Sequence, residues 1–247
     1  MSVESPGDLA GMKYVGRAVA LILEEMKAAI AAGMSTADLD TVAAAAMKRL
    51  GVRSAPRETY GFPGFACISV NDEIVHGVPG PRRLRAGDVV KIDVTASASG
   101  YVADAARTVI VGPASTAALR LRASAVAALQ AALGAARAGE RVSIIGRSVE
   151  RQARRDGFSV LRELCGHGVG RAIHEEPKVP NYEDPRSPDV LSRGLVLAIE
   201  PMLAARRARA VQMSDGWTIA TDNGALAVHE EHTVVIGDGA PLVLTAA

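Results

Sequence analysis

The chain has 247 residues with a formal net charge of +1, and 49% of them are hydrophobic while 22% are charged. This balance excludes a disordered chain, and no basic block is long enough to indicate recognition of a nucleic-acid sequence. No apolar run approaches the ~20 residues that span a bilayer, and residues 1–16 lack the apolar core of a signal peptide. We therefore expect a cytoplasmic protein without a membrane segment.

Helical patterns open the first half of the chain. Apolar residues recur at helical spacing over residues 11–32, and Gly33 ends this predicted helix. Ser35 followed by Asp38 predicts a capping box for a second helix, which Gly51 ends. Strands are then predicted at residues 65–71, 74–77, 88–95 and 101–111.

The same order of elements returns in the second half. Helices are predicted at residues 116–137 and 143–155, and a glycine follows each of them. These two glycines are as far apart in sequence as the two that end the helices of the first half. The strands that follow are predicted at residues 159–165, 195–201, 217–220 and 231–236.

Helices segregated from antiparallel strands predict an α+β fold in a single domain over residues 1–247. Residues 1–10 are expected to form a short N-terminal extension. Residues 11–112 and 113–247 would be two halves of a duplicated unit, related by a pseudo-twofold axis. A duplicated fold of this kind usually places its functional site between its halves.

Two aspartates lie in one predicted hairpin. Asp93 interrupts an apolar, β-branched strand, and Asp104 follows a turn at residues 97–100. A turn tip at residues 98–99 would place the two carboxylates opposite each other, whereas a tip at 99–100 would make them diagonal neighbours on the same face. In both cases, burying two like charges costs several kcal/mol unless something neutralises them.

Two explanations of these charges remain open at this point. Lys91 or Arg107 could neutralise the aspartates in an ordinary buried ion pair. The second half, however, adds Glu200 at the end of a fully apolar strand and Glu231 at the start of another. Four acids in apolar strands exceed what ion pairing commonly requires, and divalent cations would satisfy them together.

The histidines suggest which class of cation would bind. All five follow residue 75, and His167 lies in the glycine-rich string Gly-His-Gly-Val-Gly, where backbone and ligand can approach closely. This string lacks the spacing of a dinucleotide-binding loop. A neutral histidine among carboxylates favours a transition metal over magnesium or calcium.

The motifs as a set resemble the type I methionine aminopeptidases, whose fold is called pita-bread. The similarity covers nearly the whole chain after the first ten residues, in the order NDEIVHGVP, VKIDVT, CGHGVGRAIHEEP, LAIEPM, DGWT and EEHTVV. The resemblance implies an enzyme that hydrolyses the initiator methionine from nascent polypeptides with a small second residue. It would be a monomer that meets its substrates at the ribosome.

The resemblance also implies two divalent metal ions, each of them Co, Mn, Fe or Zn. Asp93 would bind one metal, Asp104 and Glu231 would bridge both, and His167 with Glu200 would bind the other. A water held between the two cations, ~3.5 to 4 Å apart and with its pKa lowered toward neutrality, would attack the substrate carbonyl.

Catalytic and substrate-binding roles follow from the same resemblance. Glu200 would accept a proton, His174 would stabilise the tetrahedral intermediate, and His76 would form a hydrogen bond near the peptide nitrogen. The methionine side chain would lie in a pocket with His76 at its edge, where aromatic faces and sulfur suit a thioether. The other pocket residues would be Phe62, Cys67 and Trp217.

Several positions depart from the family pattern and keep two rival functions open. Alanines flank Asp104 where glycine and threonine are usual, and further departures are Pro56, Thr59, Ile173 and His229. An Xaa-Pro or broader aminopeptidase of the same fold would be compatible with an altered pocket. A non-catalytic binding module of this fold would be expected to lose the ligand residues, all of which are present here.

Overall fold

The structure is a computed structural model that describes residues 1–246. Within them, five helices pack on antiparallel sheets, in agreement with the predicted α+β class. The helices are α1 (Pro6–Ala29), α2 (Thr36–Leu50), α3 (Ala55–Tyr60), α4 (Thr116–Ala135) and α5 (Ser143–Asp156). No helix in this range is both long and apolar enough to cross a membrane.

The first seven strands lie between residues 53 and 168. They are β1 (Arg53–Ser54), β2 (Cys67–Val70), β3 (Glu73–Val75), β4 (Val89–Ala98), β5 (Tyr101–Ile110), β6 (Ser159–Val160) and β7 (Cys165–Gly168). The later strands are β8 (Glu175–Pro180), β9 (Val196–Ile199), β10 (Met202–Ala204), β11 (Ala210–Gln212), β12 (Ile219–Thr221), β13 (Ala227–His229), β14 (His232–Val235) and β15 (Leu242–Val243).

Two sheets carry most of the architecture. In the first half, β5 pairs along the whole of one edge of β4, and β1 and β2 pair with different parts of its other edge. In the second half, a five-stranded sheet has the order β15-β14-β9-β7-β8. Two three-stranded sheets complete the fold, with orders β13-β10-β6 and β11-β12-β3. The last of these joins strands from both halves of the sequence. The division into two related halves stays a prediction.

Helix α1 begins earlier than the predicted residue 11. Ser5 caps the helix, because its Oγ accepts a hydrogen bond from the Asp8 backbone N–H at 3.0 Å, and Pro6 occupies the first turn. Part of the segment expected to be an extension is therefore helical. The capping box of α2 is confirmed, with reciprocal hydrogen bonds of 2.9 and 3.0 Å between Ser35 and Asp38.

The β4–β5 hairpin turns at Ser99 and Gly100. Both residues have positive φ angles, 50° and 79°, as a two-residue type I′ turn requires. Asp93 therefore pairs with Ala106 across the hairpin. The tip at residues 98–99 was the wrong alternative and the tip at 99–100 is correct, because glycine tolerates the left-handed conformation that the second turn position needs.

Strand alternation separates a helix-facing side of β4 from a second side. Ile92 and Val94 belong to a core cluster with residues of α1 and α2, so Asp93 points to the opposite face. In the second half, Leu197 and Ile199 pack in a cluster with residues of α4 and α5. Each helix pair thus covers one sheet, and Asp93 and Asp104 are directed away from the helices.

Several short strands did not follow from the sequence. Strand β8 reads Glu-Glu-Pro-Lys-Val-Pro, which has no apolar alternation and contains two prolines, so its pairing with β7 depends on tertiary contacts. Strands β1, β10, β11, β13 and β15 have only two or three residues each, too few for a periodic signal.

Candidate active site

One cavity of about 530 Å³ brings together every residue predicted for the site. It lies between strands of both sheets, and His174 in the loop before β8 is a lining residue that is exposed to solvent. Its wall includes Phe62, Cys67, His76, Asp93, Asp104, His167, His174, Glu200, Trp217 and Glu231. Residues separated by more than 160 positions in sequence therefore contribute to one chemical environment.

The two aspartates are diagonal neighbours on the cavity face of the hairpin. Asp104 pairs with Thr95, two residues along β4 from Asp93, and Cys67 on β2 lies directly opposite Asp93 on its other side. Asp104 is 7% exposed. Side chains at diagonal positions of one sheet face lie within mutual reach, so the two carboxylates share one site.

Glu231 reaches the same place from the second half. Its backbone N–H donates a 3.0 Å hydrogen bond to the carbonyl of Ala106 on β5. Beside it, Thr233 Oγ1 donates to the carbonyl of Asp104 at 2.7 Å and accepts from the backbone N–H of Asp104 at 2.9 Å. These bonds fix β14 against β5, so Glu231 and Asp104 face each other at the junction of the sheets.

His167 and Glu200 complete the cluster. The Nε2 atom of His167 lies 3.4 Å from Oε1 of Glu200, and its Nδ1 lies 2.9 Å from the carbonyl oxygen of Gly168. A backbone carbonyl on one ring nitrogen is the usual arrangement of a metal-binding histidine, because it leaves the other nitrogen for the metal. Potential ligand atoms of Asp104, His167 and Glu231 all lie within 4.8 Å of one another.

Within residues 1–246, neither Lys91 nor Arg107 forms an ion pair with these acids. Lys91 is buried and donates to the carbonyls of Asn71 and Val89, at 2.8 and 3.3 Å. Arg107 donates to the Glu231 backbone carbonyl at 2.6 Å. The explanation by a simple ion pair with the aspartates is therefore wrong.

The acids of the cluster carry polar atoms without hydrogen-bond partners. Within residues 1–246, buried oxygens of Asp93, Asp104 and Glu231 have none. Loss of solvation, and then the neighbouring carboxylates, hold the pKa values of Asp93 and Glu231 well above the usual range. Loss of solvation also raises the pKa of Glu200 to about 8. This donor set fits divalent cations, which would supply the missing positive charge.

The neighbouring wall of the cavity is apolar and aromatic. Phe62 and Trp217 meet edge to face with ring centroids 5.3 Å apart, and Phe62 is buried. Loss of solvation and the nearby carboxylate of Asp93 raise the pKa of Cys67, which keeps its thiol neutral. This wall therefore offers aromatic faces and a neutral thiol to a side chain that enters beside the acids.

Two histidines lie at the boundary between the acids and the apolar wall. The ring of His174 is 4.4 Å from that of His167, centroid to centroid. His76 has a φ of 57°, an uncommon conformation for a non-glycine residue and one that is enriched at functional sites. The sequence places these residues in motifs, but only the fold shows that they line the same cavity.

A family model agrees with this geometry. Residues 10–238 match the model described as metallopeptidase family M24. The chain belongs to metallopeptidase family M24. It is 41% identical over 247 residues to methionine aminopeptidase 2 of Bacillus subtilis, with 99% of each chain covered. Within the M24 family, the chain therefore belongs with the methionine aminopeptidases.

Solved structures of similar chains confirm the predicted pita-bread fold. A methionine aminopeptidase from Thermotoga maritima superposes with a TM-score of 0.96 at 35% identity, and each chain is fully covered. A prolidase from Pyrococcus furiosus has a TM-score of 0.80 at 21% identity, over 99% of this chain and 65% of the prolidase. The second likeness shows a shared fold only.

His229 also lines the cavity, although in the sequence it stands out only as a departure from the family pattern. It is 2% exposed, and neither ring nitrogen has a hydrogen-bond partner within residues 1–246. Its Nε2 lies 3.4 Å from Glu200 and 3.6 Å from Glu231. Loss of solvation lowers its pKa to about 4, so a neutral imidazole lies beside two of the predicted ligands.

Close backbone packing around His167 leads to a test of stability. A Cβ atom at Gly166 would lie 2.4 Å from the carbonyl oxygen of Ala198, so Gly166→Ala requires β7 and β9 to separate. We expect a loss of roughly 2 kcal/mol or more in the free energy of unfolding. Gly134→Ala on α4 is the control, since no neighbouring atom would lie within 4 Å of the added Cβ. Because alanine favours the helix more than glycine does, this variant should be more stable than the wild type by up to about 1 kcal/mol.

Urea denaturation of both glycine variants checks this expectation. Equal midpoints for Gly166→Ala and the wild type would show that the strands flanking His167 are not packed as closely as described.

Proposed function

We propose that this chain hydrolyses the N-terminal methionine from nascent polypeptides and prefers a small second residue. The observation that carries the proposal is the position of the acid and histidine cluster beside an apolar aromatic wall in one cavity. The methionine aminopeptidases of the M24 family are full-length relatives of this chain, which supports the same activity. Cytoplasmic location, contact with nascent chains at the ribosome and a monomeric state are parts of the proposal.

The proposed metal ligands are the two aspartates, His167 and the two glutamates of the cluster. Their oxygen-rich donor set with one imidazole suits Mn, Fe, Co or Zn, and two ions are proposed. When bound, divalent cations would hold the substrate's α-amine, polarise the scissile carbonyl and lower the pKa of a water molecule. Capture of a free α-amine explains why an N-terminal residue would be removed and an internal one would not.

The chain's own groups would handle the protons and the developing charge. Glu200 is the proposed proton acceptor from the attacking water, since it lies within the cluster and next to the imidazole of His167. His174 would donate a hydrogen bond to the oxygen of the tetrahedral intermediate, and His76 would donate near the peptide nitrogen. Both histidines line the cavity at the edge of the acid cluster.

The aromatic wall is the proposed methionine pocket. Trp217→Ala should lower kcat/KM for methionyl peptides by about 10- to 100-fold, because the thioether loses an aromatic face. Tyr182→Ala is the control, since Tyr182 packs under Arg162 and does not line the cavity. The measurement is kcat/KM on Met-Ala-Ser for each variant. A Trp217→Ala enzyme with wild-type kcat/KM would exclude Trp217 from the pocket.

A second candidate function is hydrolysis of Xaa-Pro peptides. It is favoured only by the fold shared with a prolidase and by the departures in the pocket, such as Ile173 before His174. A non-catalytic binding module is disfavoured, because all five proposed ligands remain and line one cavity.

A peptide panel separates these functions. The panel varies the first two residues and includes Met-Ala-Ser and Xaa-Pro peptides, with Mn(II) or Co(II) added and Asp104→Ala as the inactive control. The proposal expects methionine release by the wild type only. Cleavage of Xaa-Pro peptides alone, with every metal tested, would overturn the methionine assignment. Inactivity on all peptides together with no metal uptake would favour the binding module.

A further inference from the structure

The short helix α3 places an aromatic side chain at the entrance of the cavity. Tyr60 is the last residue of α3, and Gly61 ends the helix with a φ of 72°. Strand β1 precedes α3 directly and pairs with β4, the strand of Asp93, so the position of α3 is fixed relative to the acid cluster. Tyr60 lines the cavity and is 49% exposed.

Tyr60 contacts His174 through both its hydroxyl group and its ring. The Oη atom lies 2.9 Å from Nδ1 of His174, within ordinary hydrogen-bond distance. The two rings are stacked, with centroids 5.9 Å apart and planes inclined by 30°. Because water could satisfy the hydroxyl group of an exposed tyrosine, the direct contact with His174 points to a role for Tyr60.

The backbone of the segment that carries His174 is held by Glu175. Glu175 Oε1 accepts hydrogen bonds from the backbone N–H groups of Arg171 and Ala172, at 2.6 and 2.8 Å. These bonds fix the backbone of the loop but do not involve the imidazole of His174. The ring packs against His167, and Tyr60 supplies a hydrogen bond to one of its nitrogens.

The contact has a consequence for the position of the imidazole proton. A neutral histidine carries one proton, on Nδ1 or on Nε2, and the hydrogen bond made by one nitrogen decides which form is present. If the phenol donates to Nδ1, the proton resides on Nε2. Because Nδ1 is engaged by Tyr60, Nε2 is the nitrogen that remains for a ligand in the cavity. A proton on Nε2 is what His174 needs to donate to a developing oxyanion.

We propose that Tyr60 is a positioning residue that donates its hydroxyl proton to Nδ1 of His174 and so holds the Nε2–H tautomer ready for the substrate. This inference rests on the proposed peptide hydrolysis, but the hydrogen bond can be measured without it. Tyr60 acts through His174 and does not touch the reacting atoms. Its hydroxyl group should therefore affect turnover more than substrate binding.

Tyr60→Phe tests the inference because it removes the hydroxyl group and keeps the ring. We expect kcat on Met-Ala-Ser to fall about tenfold, the effect of losing one orienting hydrogen bond, while KM changes by less than about twofold. Tyr14→Phe is the matched control. The Tyr14 hydroxyl is also exposed and donates to the carbonyl of Leu50 at 2.7 Å, and Tyr14 does not line the cavity.

Nitrogen-15 NMR of the Zn(II)-loaded protein provides the second measurement. The ring signals of His174 are assigned with a His174→Gln variant. The wild type and Tyr14→Phe should show an unprotonated Nδ1 and a protonated Nε2, whereas Tyr60→Phe should show a mixture of both tautomers. This readout does not depend on catalysis, and a purely structural role of Tyr60 would not change it.

Three results would overturn the inference. Unchanged His174 signals in Tyr60→Phe would exclude the orienting hydrogen bond. An unchanged kcat would exclude an effect on turnover, and a rise in KM alone would mean that Tyr60 only lines the entrance. If the wild type released no methionine while its His174 signals still changed in Tyr60→Phe, the proposed function would fail and the orienting hydrogen bond would stand.

Discussion

Glu231→Gln is expected to lower methionine release by roughly a thousandfold, equivalent to about 4 kcal/mol of transition-state stabilisation. The carboxylate is 1% exposed, and its Oε1 has no hydrogen-bond partner within residues 1–246. It is the proposed bridging ligand that meets Asp104 at the junction of the two sheets. Glutamine keeps the shape of the side chain but removes the charge that would hold two cations together.

The neighbouring residue gives a matched control for this prediction. Glu230 is also buried, but its Oε1 accepts a hydrogen bond from the Thr108 backbone N–H at 3.2 Å, and it does not line the cavity. Loss of solvation raises its pKa to about 7. Glu230→Gln should therefore retain activity and change the free energy of unfolding by only about 1 kcal/mol.

Activity and thermal stability together decide the outcome for this pair. In metal-free protein, Glu231→Gln should melt at or above the wild-type temperature, because the variant removes one of several repelling buried acids. Loss of activity would then not reflect unfolding. Equal activity of the two glutamine variants would contradict the role proposed for Glu231.

Glu200→Gln is expected to lower kcat by about 10²- to 10⁴-fold, the usual contribution of a positioned proton acceptor. One carboxylate oxygen lies 3.4 Å from His167 Nε2, and the other lies 3.4 Å from His229 Nε2. The carboxylate is thus held between two imidazoles inside the cluster. An amide can replace one ligand oxygen but cannot accept the proton of the attacking water.

Glu163→Gln is the control for this second prediction, since Glu163 lines the same cavity but is exposed to solvent. Steady-state kinetics on Met-Ala-Ser should show wild-type kcat for this control. If Glu200→Gln retained kcat and showed only a raised KM, its proposed part in proton transfer would be wrong.

The fold and the composition of the site were largely predictable from local sequence signals. The capping box at Ser35 and the helix-ending Gly51 predicted α2, the apolar period predicted most of α1, and the repeated order of helix and glycine predicted α4 and α5. The acids were identified because a carboxylate in a β-branched strand is costly, which is a property of the sequence alone. The motifs then named the family that the comparisons confirm.

What the sequence could not supply was the geometry set by contacts across the fold. Both hairpin registers placed Asp93 and Asp104 on one face, and only the positive φ angles of Ser99 and Gly100 select the diagonal arrangement. The contact of Tyr60 with His174 joins residues 114 positions apart through a helix that has no amphipathic period. His229 stood out only as an exchanged residue until its distances to two acids were known.

Calorimetric titration of metal-free wild-type protein with Mn(II) tests the central claim most directly. The claim is that the buried acids at the junction of the two sheets form a metal centre. The predicted result is saturable binding of two ions in the wild type, and lost or weakened binding in Asp104→Ala that is not seen in Glu230→Gln. Absence of binding to the wild type, or binding that Asp104→Ala leaves unchanged, would contradict it.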